Sequence, residues 1–459
     1  MSEYRIEQDS IGKKEVLKRA YYGVQSLRAS ENFRITGTRV HEEIIKSIVE
    51  IKKAAAITNR QVGAISGKIA DAMVTACDEI LEGKFLDNFI VDTIQGGAGT
   101  SLNMNANEVI SNRAIEILGG EKGDYSIVHP NDHANCGQST NDVYPSAGKL
   151  ATIRLLDKTK TALIEFYQSL VNKAEEFKNV IKMGRTEMQD AVPISFGQCF
   201  MAYASAINRD IERFDKAIEE MSILNMGGTA IGTGINANPD YIKNIVPNLS
   251  KVTGLPLVQA KDLIDATQNL DSFIFVSGIV KSCATTLSKI ANDLRLMSSG
   301  PRTGFGEINL PAKQNGSSIM PGKINPVIPE VINQIAFNVI GNDTTITLAV
   351  ESGQLELNAF EPIIFYCLFE SLDTLRNGIN VFVKDCINGI TVNEKRCEDE
   401  VEKSIGIGTA LCPFIGYTKA SYFAKKALKE NKNVREILIE ENAITKVELD
   451  NILDPHKMI

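Results

Sequence analysis

Long helical stretches constrain the fold of this chain more than any other feature of its sequence. They fall between positions 143 and 387, at 143–176, 194–222, 260–298, 327–351 and 363–387. In the first stretch, apolar residues recur at steps of three and four, which is the stripe of a helix that faces a core. Helices of roughly 25–40 residues are two to three times the usual length, and no internal repeat is visible. The pattern predicts an all-α fold with a central long-helix bundle.

The helical pattern changes at both ends of this bundle. Before it, shorter apolar segments at 44–57 and 69–81 indicate an α-rich N-terminal domain. After about Gly389 the periodicity shortens and charged residues increase, which predicts a small C-terminal helical domain. A chain of 459 residues is long enough for about three domains. The predicted domains are residues 1–140, 141–392 and 393–459.

Composition and charge argue against several classes of function. The formal net charge is −8, whereas binding to nucleic acid needs a basic face, so no nucleic-acid partner is expected. We see neither the residue order of a signal peptide nor an apolar run of about 20 residues, so a cytoplasmic protein without a membrane partner is expected. The eight cysteines include no C-x-x-C pair, which predicts free thiols. Proline and loop residues separate His129 from His133, so no metal site is expected there.

The strongest chemical signal is a glycine- and proline-rich stretch before the fourth long helix. Residues 316–326 read Gly-Ser-Ser-Ile-Met-Pro-Gly-Lys-Ile-Asn-Pro, and this density of glycine and proline predicts a loop. Pro326 fits the first turn of a helix that starts at about Val327, with Asn325 as its N-cap. Hydroxyl, ammonium and amide groups together can hold a carboxylate, and a deprotonated hydroxyl can act as a base. For Gly-Ser-Ser taken alone, a surface linker is the alternative.

Two earlier segments offer further hydrogen-bond donors. The glycine-rich residues 94–101 precede a helix predicted from about Asn103 to Leu118, and helix N-terminal N–H groups bind anions. Residues 138–142, Gln-Ser-Thr-Asn-Asp, supply two hydroxyls and an amide just before the first long helix, with Thr140 or Asn141 as the N-cap. The alternatives are a structural turn for the first segment and simple capping for the second.

Together these segments resemble the motifs of the aspartase/fumarase superfamily. The similarity follows the order of that family along the chain, at 96–101, 138–142, 184–186 and 316–326. Other segments resemble aspartate ammonia-lyases more than fumarases, at 20–24, 295–302 and 353–358. Glu361 also stands where class II fumarases usually carry lysine. The resemblance implies a three-domain α-helical homotetramer whose active sites combine loops from three subunits.

The reaction implied by the resemblance is the reversible anti elimination of ammonia from L-aspartate to give fumarate. A base removes a proton from the carbon next to the β-carboxylate, and preorganised donors stabilise the enediolate that results. The resemblance makes Ser317 the base and Lys323 one of the groups that lower its pKa. It implies that the β-carboxylate contacts Thr100, Ser139, Thr140 and Ser318. The α-carboxylate is then held by Lys323 and Asn325, and the amine lies nearest to Asn141 and Thr186. No cofactor is implied, and activation by a divalent metal is left open.

Glu187 departs from the family pattern, in which histidine or glutamine follows the Gly-Arg-Thr of 184–186. A carboxylate there attracts the ammonium group of aspartate and repels carboxylates, so Glu187 is a candidate for selecting amine over hydroxyl substrates. The alternative is that Glu187 pairs with a basic neighbour. His129, Asn131 and Asp132 match a secondary carboxylate site described in fumarases, with loop hydrogen bonding as the alternative.

For the whole chain, three other functions remain as alternatives. The first is a class II fumarase that hydrates fumarate to malate on the same scaffold. The second is a related lyase with a larger leaving group, which the flanking motifs fit poorly. The third is a catalytically inactive structural homologue, against which the intact Ser317, Lys323 and Asn325 argue.

Overall fold

The computed structural model describes residues 3–459. The chain divides into two compact units, each built from three separate segments. The first unit comprises the residues up to Lys160 with Glu212–Ser282 and Asn338–Thr374, and the second comprises Thr161–Ile211, Cys283–Phe337 and Leu375–Ile459. The three domain boundaries expected from the sequence stay a prediction.

Helices dominate the described residues, which confirms the predicted all-α class. In chain order they are α1 Val24–Asn32, α2 Glu42–Gln61, α3 Gly67–Leu81, α4 Thr100–Ile117, α5 Thr140–Glu176, α6 Phe196–Met221, α7 Pro239–Thr253, α8 Leu263–Gln268, α9 Asp271–Met297, α10 Val327–Glu351, α11 Glu361–Asp385, α12 Glu394–Lys403, α13 Cys412–Ile415, α14 Tyr417–Glu430, α15 Val434–Glu440 and α16 Lys446–Ile452. The five long helices have 37, 26, 27, 25 and 25 residues. They form the central bundle that the sequence predicts.

The strands are short and occur only in two-stranded sheets among the described residues. They are β1 Tyr4–Gln8, β2 Lys13–Leu17, β3 Ile181–Thr186, β4 Gln189–Ser195, β5 Ile223–Leu224, β6 Val258–Gln259, β7 Ile308–Asn309 and β8 Thr391–Val392. The β5–β6 pair is parallel and the other three pairs are antiparallel. The β3–β4 hairpin carries two of the predicted site residues, Thr186 and Glu187.

The helix limits follow the hydrophobic pattern closely, with one exception. Helix α10 begins and ends at the predicted residues. The stretch predicted as one helix at 260–298 is two helices, α8 and α9, which is a correction. The break occurs because Asn269 is extended, with φ −103° and ψ 133°, and the buried Leu270 separates the two helices.

An aromatic cluster forms part of the core of the first unit. Tyr144 of α5 and Phe273 of α9 each pack against the ring of Phe365 in α11, with centroid distances of 5.1 and 5.3 Å. All three side chains are buried. Gly148 in α5 faces the same ring so closely that a Cβ there would overlap Phe365. Buried aromatic pairs of this kind stabilise by about 0.5–1.5 kcal/mol beyond their area, so this cluster fixes the helix that carries Thr140 and Asn141.

The second unit has its own helix contacts and a separate C-terminal core. Phe166 of α5 packs on Phe382 of α11 with ring centroids 5.4 Å apart. Tyr203 of α6 donates its hydroxyl to Asp293 of α9 at 2.8 Å. The C-terminal core joins buried apolar residues of the short helices to strand β3, and these include Met183, Val401, Leu411, Phe423, Ile437 and Leu449.

Helix α9 is long and apolar enough to cross a membrane by length and composition alone. Half of its most apolar window is buried inside the protein. The core helix of a soluble protein passes the same test, so α9 is weak evidence for a membrane span.

Candidate active site

The loop at 316–326 lies between β7 and α10 and leads directly into α10. Two hydrogen bonds close its base. The N–H of Gly316 donates to the carbonyl of Lys323 at 2.8 Å. The Nδ2 of Asn325 donates to the carbonyl of Gly316 at 2.9 Å. A Cβ added at Gly316 would lie 2.5 Å from the Lys323 oxygen and 3.0 Å from the Asn325 nitrogen. Only glycine therefore allows the two ends of the loop to approach this closely.

Ser317 is held in a donor-rich position inside this loop. Its Oγ accepts hydrogen bonds from the backbone N–H groups of Ile319 and Met320, both at 3.1 Å. Hydrogen bonds donated to an oxygen favour its charged form. The loop conformation therefore supplies part of the stabilisation that a serine alkoxide requires. The side chain of Ile319 is 84% exposed, and Ser318 and Lys323 are accessible to solvent as well.

Asn325 is not the N-cap that the sequence predicts for the following helix, because its side-chain amide closes the loop instead. Helix α10 nevertheless begins at Val327 as expected, immediately after Pro326. One N–H of the Asn325 amide is used by Gly316. The Oδ1 atom and the second N–H remain for a substrate.

Thr100 is the first residue of α4, so this helix starts three residues earlier than predicted. The preceding Gly99 has φ 83°, and a Cβ there would overlap the buried ring of Tyr144. The glycine is therefore required both by its left-handed backbone and by the close packing of α4 against α5. Thr100 is exposed, at a helix terminus whose N–H groups favour an anion.

Ser139, and not Thr140 or Asn141, is the N-cap of α5. Its Oγ accepts from the N–H of Asn141 at 3.2 Å, and its own N–H donates to Asp142 Oδ1 at 2.9 Å. The Ser139 hydroxyl thus accepts from the second helical residue, while the side chain of the third, Asp142, accepts from the N-cap backbone. The Asn141 Nδ2 donates to the carbonyl of Ala230 at 2.7 Å. Capping therefore accounts for part of this segment, while the Thr140 and Asn141 side chains remain half-buried at the helix start.

The buried Asp142 connects α5 to the glycine-rich turn that follows β5. Its Oδ2 accepts from the backbone N–H groups of Gly227 and Thr229, both at 3.1 Å. Burial raises the pKa of Asp142 to about 6, against three backbone hydrogen bonds that lower it. These contacts fix the first turn of α5, where the predicted donors lie.

Thr186 and Glu187 lie at the tip of the β3–β4 hairpin. Thr186 pairs with Gln189, so Glu187 and Met188 form a two-residue turn in which both φ angles are positive, at 51° and 66°. This is the left-handed geometry of a type I′ hairpin turn, which favours asparagine and glycine. Glu187 is exposed and lines a cavity of about 540 Å³. No ion pair joins it to another residue in the described part of the chain.

Arg185, two residues before this turn, anchors the hairpin. Arg185 donates to Glu307 Oε1 at 2.6 Å and to Glu400 Oε2 at 2.9 Å. Glu307 is fully buried and also contacts Lys182 at 3.3 Å. The basic neighbour of Glu187 is therefore committed to other carboxylates, so the alternative of an ion pair between Arg185 and Glu187 is not what the structure has.

The segment at 129–132 is held by local hydrogen bonds. The Nδ1 of His129 accepts from the N–H groups of Asn131 and Asp132, both at 3.2 Å. His129 and Asn131 also line a cavity of about 490 Å³ together with Arg28. Loop hydrogen bonding thus explains the histidine, and the carboxylate site remains a prediction.

The predicted site residues fall into two groups. Thr100, Ser139, Thr140 and Asn141 lie in the first unit, where the Asn103 side chain links α4 to Thr140. Thr186, Glu187, Ser317, Ser318, Lys323 and Asn325 lie in the second unit. Within the described residues, no hydrogen bond or ion pair joins the hairpin tip to the 316–326 loop.

Known proteins match this chain over nearly its whole length. A family model described as Lyase matches residues 12–341, and one described as Fumarase C C-terminus matches residues 407–459. An aspartate ammonia-lyase of Bacillus subtilis (strain 168) is 53% identical over 456 residues, which cover 99% of this chain and 96% of the relative. One from Escherichia coli (strain K12) is 46% identical over 458 residues, covering 99% and 96%.

Two solved structures have the same fold as this chain. The fumarate lyase:delta crystallin from Brucella melitensis bound to cobalt superposes with a TM-score of 0.97 at 46% identity and covers 99% of both chains. The class II fumarase from Schistosoma mansoni superposes with a TM-score of 0.96 at 35% identity and also covers 99% of both chains. The two relatives named aspartate ammonia-lyase, at 53% and 46% identity, are more similar in sequence to this chain than the class II fumarase is, at 35%.

Proposed function

Since the chain belongs to the aspartase/fumarase superfamily, we propose that it is an aspartate ammonia-lyase. In this reaction L-aspartate loses ammonia by reversible anti elimination and gives fumarate. Relatives named for this activity are 46–53% identical over essentially the full chain, whereas the structural match to a class II fumarase is 35% identical. The fumarase alternative is therefore not favoured.

The observation that carries the mechanism is the hydrogen bonding of Ser317. Two backbone N–H groups, from Ile319 and Met320, point at its Oγ. A free serine hydroxyl is not ionised near neutral pH, but donors that bind the alkoxide lower its pKa. Ser317 then removes the proton from the carbon next to the β-carboxylate. Lys323 adds a positive charge to the same loop, which further favours the alkoxide.

The elimination also requires groups that hold the growing negative charge of the enediolate. We assign this role to Thr100, Ser139, Thr140 and Ser318, because the first three lie at the N-termini of α4 and α5. Helix N-termini carry a partial positive charge, and donors preorganised around an oxyanion lower the barrier by about 3–4 kcal/mol each.

The remaining assignments follow the two ends of the substrate. Lys323 and Asn325 bind the α-carboxylate, and Asn141 and Thr186 lie nearest to the amine that leaves. The amide of Asn325 keeps one N–H for this contact while the other closes the loop. The exposed 316–326 loop acts as a lid that excludes water after substrate binds.

We further propose a cytoplasmic homotetramer with active sites shared between subunits. Apolar side chains exposed on α10 support association, with Phe337 and Leu348 exposed to 65% and 59%. Clusters of exposed apolar residues mark interaction surfaces. Subunits carrying Ser317→Ala can be mixed with subunits carrying Thr140→Val to test the sharing. Hybrids regain activity if one site takes residues from different subunits, and stay inactive if each chain builds its own site.

The test of the reaction is the near-ultraviolet absorbance of fumarate after L-aspartate or L-malate is added separately. Product from aspartate and not from malate is the expected result. Ser317→Ala should lower turnover by at least about 100-fold, because it removes the base, while circular dichroism and assembly stay unchanged. Product from malate alone would make the protein a fumarase, and no product from either substrate would restore the structural homologue.

The need for a cofactor is tested in the same assay. We propose that the elimination needs none, because each step uses side chains of the chain itself. Activity measured with a chelator and then with added Mg²⁺ distinguishes this from activation by a divalent metal. Turnover that disappears with the chelator and returns with the metal would contradict the proposal.

A further inference from the structure

A lysine ammonium lies inside the first unit, next to the segment that carries Thr140. Lys52 of α2 is 0% exposed, and burial lowers its pKa to about 7. Its Nζ donates to Asn135 Oδ1 and to Gln138 Oε1, both at 2.9 Å. Burying a charged group is costly unless it is paired or well hydrogen-bonded. Both of these acceptors are neutral amides, so the lysine determines which end of each amide faces it.

Lysine fixes the orientation of the amides that it meets. In its protonated form Lys52 has only donors, and the two contacts of 2.9 Å accordingly place the oxygens of Asn135 and Gln138 against it. This places the other end of the Asn135 amide, Nδ2, against the carbonyl of Gln138 at 3.2 Å. The orientation of Asn135 therefore follows from chemistry and leaves no freedom to flip.

The fixed oxygen of Asn135 orients a second amide in turn. Its Oδ1 also accepts from the Nδ2 atoms of Asn103 and Asn107 in α4, both at 3.2 Å. The same Nδ2 of Asn103 donates to Thr140 Oγ1 at 3.0 Å. If the Asn103 amide were reversed, its oxygen would face two further oxygens. Asn103 keeps the donating orientation although its own Oδ1 is buried without a partner among the described residues.

Thr140 is thereby used as an acceptor by the protein. A hydroxyl has one proton and two lone pairs, and Asn103 occupies a lone pair. The proton of Thr140 is left to donate away from Asn103. A proton directed in this way suits a carboxylate or an enediolate oxygen, whereas a hydroxyl that donated to the protein would present a lone pair and repel it.

We propose that Lys52, Asn135 and Asn103 form a relay that holds the Thr140 hydroxyl as a hydrogen-bond donor to the substrate β-carboxylate. These three are positioning residues, since they act through Thr140 and do not contact the substrate. The proposal rests on the proposed ammonia-lyase function and adds the residues that set the polarity of one of its donors.

The direct test is Asn103→Asp, which keeps the shape of the side chain and replaces its donor with an acceptor. Thr140 must then donate to the introduced carboxylate and turn a lone pair toward the substrate. Loss of one oxyanion donor lowers kcat by about 100-fold or more, so kcat/KM for L-aspartate should fall by at least that factor. Asn103→Leu removes the donor without reversing the hydroxyl and should have a smaller effect.

A matched control is Asn135→Asp, because a carboxylate still accepts from both Lys52 and Asn103. The relay keeps its direction in this variant, so its kcat/KM should exceed that of Asn135→Leu, which presents no oxygen. If the two Asn135 variants lost activity equally, the direction of the hydrogen bonds would not be what matters. Circular dichroism and the thermal midpoint are measured for each variant, since the side chains of Asn103 and Asn135 are buried and half-buried.

A double-mutant cycle separates a positioning role from a general structural one. Thr140→Val removes the hydroxyl, so adding Asn103→Asp to it should lower kcat/KM by less than about threefold further. An equal loss in both backgrounds, or wild-type kcat/KM in Asn103→Asp alone, would overturn the relay. Wild-type turnover of L-aspartate is measured first. If it is absent the proposed function fails, and if it is present without coupling only the relay fails.

Discussion

Removing the charge of Glu187 tests whether this side chain selects an amine substrate. Glu187→Gln keeps the length and shape of the side chain at the tip of the β3–β4 hairpin. Among the described residues Glu187 has no ion pair, and its neighbour Arg185 is held by Glu307 and Glu400. The Glu187 carboxylate is therefore not held in an ion pair, and a bound ammonium group would be attracted to it.

The expected size of the effect of Glu187→Gln on substrate binding follows from the exposure of the hairpin tip. Two opposite charges about 4 Å apart attract by about 1 kcal/mol in water-like surroundings and by about 4 kcal/mol at an effective dielectric constant of about 20. Glu187 is exposed, so the lower figure applies. A loss of about 1 kcal/mol corresponds to about a fivefold weaker interaction. The backbone at this position has a positive φ of 51°. Glutamate and glutamine have the same backbone preference there, so the substitution does not add strain to the turn.

The assay compares a ligand that has an amine with one that lacks it. The KM for L-aspartate should rise about fivefold in Glu187→Gln, since about 1 kcal/mol of attraction is lost. The inhibition constant of succinate, a dicarboxylate without an amine, should fall, because a repulsion is removed. Glu402→Gln removes an equal charge from the surface of α12 in the same unit and should change neither constant.

Two results would refute this reasoning. If both constants move together in the same direction, Glu187 acts on the carboxylates or on the hairpin geometry and does not distinguish the amine. If neither moves, the side chain does not contact the substrate. The effect on aspartate should also shrink at about 1 M salt, where charges are screened within about 3 Å.

Three further changes test packing and buried charge. Gly316→Ala places a methyl group 2.5 Å from the Lys323 carbonyl; it should open the base of the loop and reduce kcat at least about tenfold in steady-state assays, with the thermal midpoint unchanged because the loop is largely exposed. Burial raises the pKa of Glu108 from 4.5 to about 7, so the folded chain holds a proton that the unfolded chain releases over that range, and stability falls as pH rises from 4.5 to about 7. This loss amounts to about 3 kcal/mol of unfolding free energy at most. Glu108→Gln should remove it, so that thermal midpoints no longer fall across that pH range; an unchanged fall would contradict the prediction. Gly148→Ala forces a methyl group into an aromatic ring and should lower the free energy of unfolding by about 1–3 kcal/mol, whereas Gly67→Ala, whose methyl meets its nearest atom at 3.7 Å, should change it by less than about 0.5 kcal/mol in urea titrations.

The helices could be predicted from sequence because their apolar stripes are long. Over 25 to 37 residues the three- and four-residue spacing has many repeats, so the limits of α5, α6, α10 and α11 lie within about three residues of those predicted. Short elements lack that redundancy. The β1–β2 hairpin is held by tertiary contacts, in which the Arg5 guanidinium donates to the carbonyls of Leu17, Ala20 and Tyr22. The sequence of so short a strand does not predict such contacts.

The candidate site could be proposed from the sequence to the extent that its motifs are continuous. The 316–326 loop, the start of α4 and the start of α5 each lie in one segment, and the chemistry of each could be read locally. The relay behind Thr140 joins residues 52, 103 and 135, which become neighbours only in the folded chain. One signal was present, since Lys52 stands four residues after Ile48 and three before Ala55, on the apolar face of α2. A lysine there is buried, and a buried lysine requires partners.

There is a physical reason for the proposed oxyanion donors to lie at helix ends and for the proposed base to lie in a loop. Donors to an oxyanion act best when they need no reorganisation during the reaction, and the three proposed donors Thr100, Ser139 and Thr140 lie on helix starts, where hydrogen bonds hold the first turn of α5. The proposed base has the opposite requirement, because in the proposed mechanism its loop admits the substrate before it closes over it. Ser317 accordingly lies in an exposed loop whose own N–H groups travel with it. If the loop closes as proposed, we therefore expect the Ser317 hydroxyl to keep both of these donors, because they belong to the same loop.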